Sequence, residues 1–197
     1  MNMLAIPLAV LQVCAVQQEA KLVPSQAQPG AFFGWSVDLG PGRVVVGAPG
    51  QQPPSGGLQG AVYVFEKFGS SWVQQAILGS QFAPLPQGAD FGAAVALDGD
   101  RIAVGAPDAY NGAAQVGQVF VFVKQGLNWI EEVVIDNSTL KSSRPVGSRV
   151  ALEGDTLLIG SPAPHGGYAN NTPAPVYVYH RGPTGWIQQA KLQPQDE

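Results

Sequence analysis

The chain has 197 residues, a formal net charge of −4, and only 12% charged residues. Its 25 glycines and 17 prolines point to many turns rather than long helices. No cluster of Lys and Arg offers a footprint for nucleic acid, and one cysteine, Cys14, permits neither an internal disulfide nor a thiolate metal knuckle.

Residues 1–15 form an apolar stretch ("MLAIPLAVLQVCA" from Met3) that is too short to span a membrane. It reads as the apolar core of a secretory signal, with Val13 and Ala15 at the small-residue positions before a cut, although no Lys or Arg precedes it. "LQVC" also resembles a lipoprotein box with an oversized Val13, and an apolar first strand is the plain alternative. Next comes "VQQEAKL" (16–22), which repeats a strand sequence met again near the C-terminus, "WIQQAKL" (186–192), with Val16 in place of the Trp.

From there the chain writes one unit three times. Phe33-Gly34, Phe91-Gly92 and Val146-Gly147 lie 58 and 55 residues apart, as do Gly47, Gly105 and Gly160 of the Gly-Ala/Ser-Pro triplets. Trp72, Trp129 and Trp186 are spaced by 57 residues both times. Three markers in one register define repeats at about 33–78, 91–135 and 146–192. Each has four strand-like runs. The first ("FGWSVDL", "FGAAVAL", "VGSRVAL") ends in a tight glycine turn, "GPG", "DGD" or "EGD". The second ("RVVVGAP", "RIAVGAP", "TLLIGSP") is apolar on both faces, which predicts burial on both sides. The third ("AVYVFEK", "QVFVFVK", "PVYVYHR") alternates Val with aromatics, and the fourth opens at the Trp.

Four antiparallel strands of this size cannot bury their own faces. Stacking such sheets radially solves the problem and makes a β-propeller, so an all-β fold of three four-stranded antiparallel blades plus an N-terminal strand at 16–22 is expected. The Pro of each triplet ends its ladder because it has no N–H to give. Rings hold roughly four to eight blades. Three units and a stray fourth strand therefore suggest a partial propeller, either part of a longer one or a protomer whose ring other copies complete. Such an arc leaves an apolar face open at each end, expected at Val44 and Val46 in the first unit and at Leu157 or Ile159 in the third.

"FGWSVDL…RVVVGAP", "FGAAVAL…RIAVGAP" and "VGSRVAL…TLLIGSP" resemble FG-GAP repeats, the blade units of the integrin α-chain propeller and of many secreted bacterial proteins. The resemblance covers roughly residues 16–197 and implies an extracellular or cell-surface module that binds or scaffolds. The alternatives are a non-catalytic part of a larger secreted enzyme and a self-assembling structural propeller. Many blades of the family hold Ca²⁺ in a D-x-D-x-D-G loop between the first two strands. Here minimal hairpins replace that loop, and two carboxylates across a tight turn supply too few ligands, so neither metal nor cofactor is expected.

Ligand contacts are expected in the long connections after each triplet, at 50–60, 108–117 and 163–174, which emerge together on one end of a rigid scaffold. Gln51, Gln52, Asp108, Tyr110, Asn111, His165, Tyr168 and Asn170 have side chains suited to a protein or carbohydrate ligand. No catalytic residues are expected: G-x-S-x-G is absent, His180 falls on a solvent-facing strand position, and Glu131 and Glu132, as strand neighbours, should point to opposite faces. Asn137-Ser138-Thr139 and Asn170-Asn171-Thr172 are glycosylation sequons, meaningful in a eukaryote.

Overall fold

The computed structural model describes residues 18–52, 60–79, 88–110, 115–136, 146–161 and 174–193. Among them there is no helix, and twelve strands form three four-stranded antiparallel sheets. The first sheet is β1 (Ser36–Gly40), β2 (Arg43–Ala48), β3 (Ala61–Phe68) and β4 (Ser71–Leu78), hydrogen-bonded in that order. The second repeats it with β5 (Ala94–Asp98), β6 (Arg101–Ala106), β7 (Gln118–Gln125) and β8 (Asn128–Asp136). The third is β9 (Arg149–Glu153), β10 (Thr156–Gly160), β11 (Val176–Gly182) and β12 (Gly185–Leu192). Each opening hairpin closes over two residues, pairing Gly40 with Arg43, Asp98 with Arg101 and Glu153 with Thr156.

The motif residues explain how the sheets join. Gly92, with φ of 92°, turns its carbonyl against Gly47, where a Cβ would come within 2.0 Å of that oxygen. Gly147, with φ of 91°, does the same to Gly105, where a Cβ would lie 1.8 Å from the carbonyl. The Phe-Gly corner of each unit thus seats on the Gly-Ala-Pro corner of the unit before it, and only glycine leaves room for backbone to meet backbone. Side chains fill the rest of each interface. Val45, Val62, Val64 and Leu78 of the first sheet pack on Phe91, Val104, Phe120 and Phe122 of the second. Ala103, Val119, Val121 and Ile135 of the second pack on Leu157, Ile159, Tyr177 and Tyr179 of the third.

Each interface also carries a carboxylate that meets cations of both of its sheets. Glu66 on β3 accepts from Arg43 of its own sheet at 3.0 Å and from Lys124 of the next at 2.5 Å. Glu132 on β8 accepts from Arg181 of the third sheet at 2.6 Å and from Trp186 at 3.2 Å, with Arg101 of its own sheet at 3.4 Å. Burial opposes ionisation of both carboxylates. The hydrogen bonds and charges of these cations outweigh it, and both are held below the ordinary value.

Three expectations need correction. The run 16–22 does not form a strand in its described part, because no described strand lies beside it to pair with; Gln18–Leu22 instead lies against the outer face of the first sheet. There Leu22 packs on the cluster containing Tyr63 and Phe65, and Glu19 meets Lys67 at 2.5 Å. Val46 is consequently buried and Val44 half-buried. The open side of this sheet lies at β1, where Val37 and Leu39, and Trp35 just before the strand, are 64%, 68% and 65% exposed. At the other end the alternation runs one residue out of step with the expectation. Leu157 and Ile159 point into the second sheet, and Leu158, 37% exposed, faces outward.

Candidate functional site

All connections from a second to a third strand leave the end of the molecule opposite the tight hairpins, as do those from one sheet to the next. In the first unit the post-triplet turn is braced from inside. Gln51 is only 4% exposed: its carbonyl accepts from Gly60 N–H, and its side-chain oxygen accepts from the Tyr63 hydroxyl at 3.0 Å. A buried amide so engaged braces the loop from inside. Gln52 is exposed, its backbone joined to Gln28 by a reciprocal pair of hydrogen bonds.

In the second unit the loop is pinned at its base. Val116 and Gly117 both donate to the Ala109 carbonyl, at 2.9 and 3.0 Å, and Gln115 donates its side-chain amide to Asp108. Tyr110 stands out from this base, 48% exposed. Burial, with the neighbouring Asp108 charge second, pushes the Asp90 carboxyl above its ordinary range. Among the described residues no group of three or more His, Cys, Asp or Glu is placed to hold a metal ion. Asn111, His165, Tyr168 and Asn170 lie outside the described residues.

The seating of Phe-Gly corners on Gly-Ala-Pro corners gives structural meaning to the motif, and the model of the FG-GAP repeat family matches residues 16–65 and 86–122. The chain is an FG-GAP repeat protein. The third unit, outside both matched segments, repeats the sheet order and strand register of the other two FG-GAP units. No curated protein matches the chain. No helix among the described residues is long and apolar enough to cross a membrane.

Sequence reasoning missed two groups of residues in these FG-GAP units. Glu132 sits where β8 bulges, unpaired by register between Val133 and Glu131, and its carboxylate reaches Arg181 of the next unit. Glu131 is paired with Phe122, which faces the first sheet, and Glu132 reaches the third, so the two point to opposite faces as expected; the bulge instead puts Glu132 and Val133 on the same side. The signal available was the replacement of Gln-Gln by Glu-Glu. The exposed pair Phe32 and Trp35, stacked edge-on at 5.9 Å, was hidden because the equivalent positions in the next unit are Asp90 and Ala93.

Proposed function

We propose that this FG-GAP protein is an exported, non-catalytic binding or scaffolding module that takes a protein or glycan ligand on its loop end. The observation that carries the reading is Tyr110, a large exposed ring on a loop whose base is fixed by three hydrogen bonds and backed by the interlocked sheets. Rigid aromatic anchors of this kind concentrate binding energy at little entropic cost. Gln52 and Asp108 are polar residues of the first and second post-triplet connections, and Asn111, His165, Tyr168 and Asn170 belong in sequence to the second and third. The frequent occurrence of FG-GAP repeats in extracellular proteins and the apolar stretch at 1–15 support export.

A glycan array and a cell-surface binding assay with the intact chain test this. Tyr110→Ala should weaken the bound ligand about tenfold or more, the loss expected of a hot-spot aromatic. The protein should leave array glycans uncleaved. Turnover of a bound glycan, or binding indifferent to every loop-end substitution, refutes the proposal.

A further inference from the structure

The molecule makes one interface twice and carries both unused halves of it at its ends. The front of each later unit, its Phe-Gly corner and inner strand, meets the back of the unit before. Gly34, at φ of 95°, is the front corner of the first unit, and a Cβ there would meet nothing within 4 Å. Gly160 is the back corner of the third, and a Cβ there meets only Arg149 of its own sheet. Val37 and Leu39 occupy the positions that are buried as Val95 and Leu97 in the second unit and half-buried as Val150 and Leu152 in the third. At the far end Leu158 occupies the position of Val45 and Ala103, which are completely buried against the following sheet.

The N-terminal segment indicates what belongs on the front. Gln18–Leu22 sits on the first sheet as β8 sits on the third: Leu22 on Tyr63 and Phe65 matches Ile135 on Tyr177 and Tyr179, and Glu19 with Lys67 matches Glu132 with Arg181. Its sequence, QEAKL, differs at one position from QQAKL of β12. The seat on Tyr63 and Phe65 therefore accepts a β12-like strand, while β12 itself ends in an exposed Leu192.

We propose that a second copy of this chain docks head to tail, its third sheet on the first sheet of its partner. Leu158 covers Val37 and Leu39, Gly160 receives the Gly34 corner, and the incoming β12 displaces Gln18–Leu22, with Leu192 taking the place of Leu22. The proposal is independent of the ligand on the loop end.

Sedimentation velocity of the intact chain from low to high micromolar concentration tests it. The wild type should associate with rising concentration. Val37→Lys/Leu39→Lys, which blocks only the front, and Leu158→Lys, which blocks only the back, should each stay monomeric. Mixed in equal amounts, they should form a dimer, because each retains the half that the other lacks. Circular dichroism checks that the variants are folded; Leu192→Lys, on an exposed β12 position, replaces Leu158→Lys if that variant is not. A wild type that stays monomeric, a blocked variant that associates alone, or a mixture that stays monomeric each overturns the proposal.

Discussion

In β5 four consecutive residues, Ala94–Leu97, are buried, whereas the equivalent residues of β9, Arg149–Leu152, alternate between exposed and half-buried. Both strands pair with one neighbour by the same antiparallel register. They differ in what lies above and below. The second sheet has another sheet on each face; the third has one on its front only. Burial here belongs to the stack rather than to the strand, as expected where each repeat contacts only its neighbours.

The comparison can be broken most severely at the glycine corners. Gly105→Ala puts a methyl into the Gly147 carbonyl and should cost about 3 kcal/mol, the upper end for overpacking. Gly160→Ala meets only Arg149 of its own sheet and should cost under about 1 kcal/mol. Urea titrations measure both, and equal losses would show that the corner is not an inter-unit contact. A milder test uses one substitution at equivalent positions. Val121→Ala should cost about 2 kcal/mol, since Val121 is fully buried beneath the third sheet. Val178→Ala, on the outward face, should cost less than about 1 kcal/mol. If the two match, the third sheet is covered as well as the second.

Acid should reveal the smallest difference. Glu66 and Glu132 are held below their ordinary value of 4.5, so their contribution is fully present above that pH and is lost as pH falls below it through the lowered values. Asp90, pushed up by burial, works in the opposite direction: its strain is relieved as pH falls through its raised value. Thermal melts should therefore show a loss of stability below pH 4.5 that Glu132→Gln reduces. A slope unchanged by Glu132→Gln would remove this carboxylate from the account.

Much of the fold was legible because the repeat writes its own register. The Trp spacing marks β4, β8 and β12, and the Val-aromatic alternation marks β3, β7 and β11. The site was less legible. Gln51 and Gln52 are neighbours of one type, yet one braces Tyr63 and the other is exposed, a difference set by the direction in which the turn points each amide. Glu132 reads as one of a pair of strand residues, and only the stacking of the sheets puts Arg181 opposite its carboxylate.

What the residues determined alone was the unit: four strands, tight hairpins, and glycine at the corners, all consequences of local backbone preference and hydrophobic period. What only the tertiary structure decided was the fate of each unit within the stack. "QEAKL" and "QQAKL" are nearly the same five residues, yet the second is a strand and the first is not. A strand exists only through the backbone beside it, and β12 has β11, whereas Gln18–Leu22 has side chains to pack on and no ladder to join.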